Sequence, residues 1–161
     1  MIKKFNLLFL TLLNIGKIKY APGTIASLIT CVLFFLLIDI YNIIILAFWT
    51  IAIFLYSLVA INTSFDAFDV DDPQEIVIDE VVGQMLALLA IPIYETLYSI
   101  PKEYYCFAAF IIFRTFDIWK PFPINYVDRN TEGAIGIMLD DVLAAIYTIV
   151  ILSMVFFFLG A

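Results

Sequence analysis

An all-α fold, a polytopic bundle of membrane helices, is predicted by three observations. Of the 161 residues, 65% are hydrophobic and only 14% charged, and the mean hydropathy is +1.08, far too apolar for a water-soluble domain of this size. Apolar stretches of helix length alternate with short Gly, Pro and charged segments, a spacing that fits about five spanning or half-spanning helices plus an N-terminal interfacial helix. Lys and Arg gather in alternate loops, as the positive charges that set membrane topology do. Residues 1–161 therefore read as a single integral membrane domain.

Taken in order, Lys3 and Lys4 precede an apolar run at 5–15 that is too short to span and reads as an interfacial or re-entrant helix. No small-residue cleavage site follows, so the run does not read as a signal peptide. GKIKYAPGTIASL, 16–28, reads as a basic Gly/Pro loop in which Thr24 or Ser27 caps the next helix or helps to hold an anion beside Lys17 and Lys19. The first spanning candidate covers 25–40, with a polar turn at 39–42, and the second covers 43–61. The third runs over 76–93, ended by Pro92, and a Tyr, Glu and Lys-rich loop follows at 94–103. The fourth covers 104–119, stopped by Pro121; a polar loop at 125–136 leads to the fifth, 140–159.

Lys3, Lys4, Lys17, Lys19, Lys120 and Arg129 fall on one side of this topology and Lys102 on the other, which makes the first side cytoplasmic. The same count puts the basic loop, the acidic loop at 66–72 and everything from Arg114 to Asp141 on that face. Tyr94, Tyr98, Tyr104 and Tyr105 form an aromatic belt at the opposite one.

DPQEIVIDEVVGQM, 72–85, drives a cluster of acids straight into an apolar helix. At about 100° per residue, Asp72, Glu75, Asp79 and Gly83 share a face, with Glu80 beside Asp79. A helix N-terminus favours an acid by about 0.3 to 1 kcal/mol, which accounts for Asp72 and Glu75. Asp79 and Glu80 lie deeper, where an ionised carboxylate at the bilayer centre costs at least roughly 2.5 kcal/mol unless paired, metal-bound or near water. Asp117, Asp140 and Asp141 bring further carboxylates to the same face, and together they suit an oxygen-ligand cage for Mg²⁺. Asp141, Ala144, Ala145 and Thr148 form a small-residue face that lets the last helix approach the third. Arg114, Asp117 and Lys120 are three residues apart, so they make either an intrahelical ion-pair string or a phosphate clamp with Asp117 on the metal.

Other chemistries are excluded. No histidine is present, so there is no Ser-His-Asp triad, His-based phosphoryl transfer or His-ligated zinc. Cys31 and Cys106 lie in apolar segments without a C-x-x-C or C-x5-R pattern and read as packing residues. A net charge of −7 with no basic patch argues against nucleic acid. DVDD, 69–72, matches a haloacid-dehalogenase D-x-D motif but lacks the α/β domain that motif needs. The alternative to an enzyme is a small membrane cation transporter or channel using the same carboxylates. The acids gather at one face and the outer helix halves are apolar, so no ion path continues across.

PGT at 22–24 with Ser27, DPQEIVIDEVVGQ, FRTFDIWKPFPI and GAIGIMLDDVLAA together resemble, in order, the sequence blocks of the phosphatidylglycerophosphatase A family. The resemblance implies a Mg²⁺-dependent enzyme of the bacterial cytoplasmic membrane that hydrolyses phosphatidylglycerophosphate to phosphatidylglycerol and phosphate. It carries over onto Asp72, Asp79, Glu80, Gly83, Arg114, Asp117, Lys120, Gly136, Asp140 and Asp141. Ala26, Glu132 and Ala145 depart from the usual pattern without removing a carboxylate. The expected catalytic set is Asp79, Glu80, Asp117, Asp140 and Asp141, with Arg114, Lys120, Thr24 and Ser27 on the phosphate. Asp72, Asp79, Glu80, Asp140 and Asp141 are the expected metal ligands.

Overall fold

In a membrane every backbone N–H and C=O must find its partner within the protein, so long apolar segments become helices. The computed structural model describes residues 2–65, 68 and 74–159, and these form eight α-helices, one short 3-10 turn and no strand. The helices are α1 (Ile2–Leu10), α2 (Pro22–Leu37), α3 (Ile43–Ser64), α4 (Ile78–Leu88), α5 (Ile91–Tyr98), α6 (Lys102–Trp119), α7 (Ile124–Asn130) and α8 (Gly133–Leu159). Three segments are long and apolar enough to cross a membrane, Ile43–Ser64, Ile78–Tyr98 and Gly133–Phe158; Pro22–Leu37 is a shorter apolar helix. The outward faces of α2, α3 and α8 expose residues such as Leu33, Phe48, Leu55 and Phe157, a surface suited to lipid rather than water.

The bundle is built around α4 and α8, which pack most extensively on each other. Both feed all three clusters of buried apolar side chains: Leu88 and Leu152 join one, Val82 and Met138 a second, Ala87 and Ala144 a third. Gly83 makes the approach possible, since a Cβ there would stand 3.0 Å from the Asp141 carbonyl oxygen and 2.7 Å from the Phe113 ring. The small face of α8 expected from Ala144, Ala145 and Thr148 is buried at this junction.

Several boundaries differ from the sequence reading, each for a local reason. The expected helix at 5–15 is α1, which stops at Leu10 because Leu12, Leu13 and Asn14 take left-handed backbone angles. A buried polar network docks α1 on α3: the Asn6 amide donates to Thr63 Oγ1 (2.9 Å) and Ser64 Oγ (3.0 Å) and accepts from the Tyr56 hydroxyl (2.8 Å). The expected basic loop at 16–28 is already helical from Pro22, whose ring suits a first turn. The third spanning candidate is two helices, α4 and α5. Pro92 opens α5 rather than ending α4, because a missing N–H costs nothing in a first turn, whereas its ring would clash inside a continuous helix. The polar loop at 125–136 holds α7 and the start of α8, which begins at Gly133.

Candidate active site

The site lies where the first turns of α2 and α4 and the first three turns of α8 meet the end of α6 and the short α7. The Val77 N–H donates to the Leu10 carbonyl (3.0 Å), which ties the start of α4 to the end of α1. Asp79 and Glu80 occupy the first turn of α4, and Asp79 Oδ1 accepts from the Glu80 N–H (3.1 Å). Gly23 of α2 faces them so closely that a Cβ would lie 1.8 Å from Glu80 Oε1. Arg114 and Asp117, one turn apart on α6, are hydrogen-bonded, and the same guanidinium lies 3.7 Å from Glu80 Oε1.

Lys120 ends α6 in a left-handed conformation (φ 46°), a cost on the order of 1 kcal/mol for a residue with a Cβ. That turn sends its ammonium to Asp128 on α7 and to Asp140 on α8, the latter at 2.8 Å. Burial pulls the Lys120 ammonium down, but the hydrogen bonds to Asp128 and Asp140 outweigh it and leave it above the ordinary lysine range.

These groups surround a cavity of about 830 Å³. Among the described residues its walls carry seven carboxylates against three cations, Arg114, Lys120 and Arg129. So acidic a cavity repels a phosphate ester unless further positive charge is held there. The place for such charge is well marked. Oxygens of Asp79, Glu80 and Asp141 lie within 4.8 Å of one another, and Glu80 Oε2 and Asp141 Oδ1 are buried with no hydrogen-bond partner. Converging, unpartnered carboxylate oxygens from two helices fit a hard divalent cation.

The structure thus brings Asp79, Glu80, Arg114, Asp117, Lys120, Asp140 and Asp141 around one cavity. Asp141 rather than Asp140 joins the tight carboxylate group, while Asp140 is taken by Lys120. Thr24 and Ser27 are not among the lining residues. Ser27 is buried and donates to the Gly23 carbonyl (2.9 Å), and the N-cap of α2 is Ala21, not either hydroxyl. Asp72 lies outside the described residues. Two contributors went unassigned in the sequence. Asp128 is eight positions from Lys120 with no local signal linking them. Gly23 sits in the PGT block, and its role depends on Glu80, far away in the chain.

A family model described as Phosphatidylglycerophosphatase A matches residues 8–156. The chain belongs to the phosphatidylglycerophosphatase A family. Membership makes it a phosphatase acting on a phosphate monoester. Similar proteins include a phosphatidylglycerophosphatase A of Haemophilus influenzae, 40% identical over 84% of this chain and 79% of the relative. Another phosphatidylglycerophosphatase A, from Escherichia coli, is 32% identical over 81% of this chain and 72% of its own length. A Bacteroides thetaiotaomicron protein described as a putative phosphatidylinositol-3-phosphatase is 31% identical over 90% of this chain and 89% of its own. No solved structure matches. Within a phosphatidylglycerophosphatase A family member, the acidic cluster of α4 and α8 fits a metal-dependent phosphatase site.

Proposed function

We propose that this chain removes the terminal phosphate of phosphatidylglycerophosphate to leave phosphatidylglycerol, with Mg²⁺ as cofactor, at the cytoplasmic face of a bacterial inner membrane. The observation that carries the reading is the convergence of Asp79, Glu80 and Asp141 within 4.8 Å on a cavity also lined by Arg114 and Lys120. The names of the Haemophilus influenzae and Escherichia coli relatives point to the headgroup. The lysine and arginine distribution points to the membrane face.

Asp79, Glu80 and Asp141 would hold the cation, and Asp72 is proposed as a further ligand on the strength of its sequence block alone. When bound, a divalent cation supplies Lewis acidity toward the phosphoryl oxygens and makes a bound water more acidic. Everything else is done by the chain's own side chains. Arg114 and Lys120 are each pinned by carboxylates, so their charged heads are in position before a phosphate arrives. As the glycerol oxygen leaves, they neutralise charge building on the equatorial oxygens. Asp140 is anchored by Lys120 through one oxygen and keeps Oδ1 buried and unpartnered, which suits it to take the proton of the attacking water.

The test is phosphate release by the purified protein from phosphatidylglycerophosphate in mixed micelles with Mg²⁺. EDTA and Asp79→Asn are each expected to abolish it. Cation flux through the protein in liposomes, with the lipid left intact, overturns the reading in favour of transport.

A further inference from the structure

Arg129 is the cavity cation that the scheme above leaves unused. Arg114 is engaged by Asp117 and Glu80, and Lys120 by Asp128 and Asp140. Arg129 lines the same cavity from the last turn of α7, is exposed, and has no ion-pair partner among the described residues. Its neighbour Asp128 is bonded to Lys120, so α7, which carries Arg129, is tied to the end of α6. Exposed Trp119, Phe122 and Tyr126 stand nearby in the chain, and aromatic residues of that kind settle at lipid-headgroup depth. The cavity is therefore graded, with two carboxylate-pinned cations at the reacting end and an exposed guanidinium that, among the described residues, has no ion pair.

The proposed substrate is graded in the same way. A terminal phosphomonoester is joined through glycerol to a phosphodiester, which carries the diacylglycerol. The monoester belongs with Arg114, Lys120 and the acidic cluster. We infer that Arg129 binds the phosphodiester and so sets the specificity for a lipid with two phosphates over a lipid with one. This rests on the function proposed above. A guanidinium pairs two N–H groups with two phosphate oxygens, and here no carboxylate of the described residues has to be displaced first.

The experiment measures kcat and KM on phosphatidylglycerophosphate in Mg²⁺-containing mixed micelles, with inhibition by phosphatidylglycerol and by inorganic phosphate measured alongside. Phosphatidylglycerol carries the phosphodiester alone, and inorganic phosphate reports the inner cations alone. Arg129→Gln is expected to raise KM about tenfold with kcat within about twofold of native, the pattern of lost uniform binding. It should weaken phosphatidylglycerol inhibition about tenfold and leave phosphate inhibition in place. Arg129→Lys should recover only part of the loss, because an ammonium restores the charge but not the paired N–H groups. Lys4→Gln, which removes an exposed charge that does not line the cavity, should behave as native. Equal weakening of both inhibitors, a fall in kcat at constant KM, or a variant indistinguishable from native each overturns the assignment. If the native protein releases no phosphate from this lipid, the proposed function falls first and the assignment with it; if native is active, only the assignment is at stake.

Discussion

Replacing Gly23 with Ala tests whether the close contact between α2 and α4 is what aims Glu80. The added Cβ would stand 1.8 Å from Glu80 Oε1 and 2.7 Å from its carboxyl carbon, whereas ordinary van der Waals contact begins near 3.4 Å. The carboxylate must therefore retreat by about 1.6 Å. The obstacle is the end of a flexible side chain rather than backbone, so the fold absorbs the change while the geometry of the site does not. A misplacement of about 1 Å at a reacting centre costs on the order of 10²-fold in rate. The same retreat pulls an oxygen out of the Asp79, Glu80 and Asp141 group, so half-saturation by Mg²⁺ should move to higher concentration. Phosphate release titrated against Mg²⁺, with a thermal melt of the same preparation in detergent, reads both effects. The expected result is roughly 10²-fold lower kcat, half-saturation at higher Mg²⁺ and a native melting point. Native activity at native Mg²⁺ concentrations would refute the reasoning, because it would mean that Glu80 has room the structure denies it.

Gly83→Ala loads a different contact, with Phe113 at 2.7 Å and the Asp141 carbonyl at 3.0 Å, inside the junction of α4, α6 and α8. Overpacking of this kind costs about 1 to 3 kcal/mol, so the melting temperature in detergent should fall, and an unchanged melt would contradict the packing described. Lys120→Met leaves Asp128 and Asp140 facing each other without their shared cation and should lower kcat by about 10²-fold. Steady-state phosphate release checks it, and kcat within twofold of native would remove Lys120 from the phosphate site.

Much of the site was legible because its signals are local. Acids running into an apolar segment at 79 and 80 and again at 140 and 141 are anomalies of hydropathy, visible without any partner. The three-residue steps from Arg114 to Asp117 to Lys120 are equally local, yet only one half of that string is intrahelical. Arg114 does bond Asp117, but Lys120 leaves the helix in a left-handed turn and bonds across to α7 and α8. Helical spacing describes Lys120 only while the chain stays helical, and it stops there. Ser27 does not cap α2, for a related reason. A hydroxyl near a Pro/Gly turn suits a cap or an anion, but once Pro22 opens the helix, Ser27 is inside it and bonds back to Gly23.

Hydropathy and helical period are properties of neighbours along the chain, and they were enough to predict an all-helical membrane bundle and to pick out the carboxylates and cations that line its cavity. Which oxygens come within ligand distance depends on how α4, α6 and α8 cross. That crossing is set by the absence of a side chain at Gly83 and by the break between Leu88 and Ile91. Asp141 joins Asp79 and Glu80, and Asp140 turns to Lys120, because adjacent residues on a helix point about 100° apart and α4 can meet only one of the two directions.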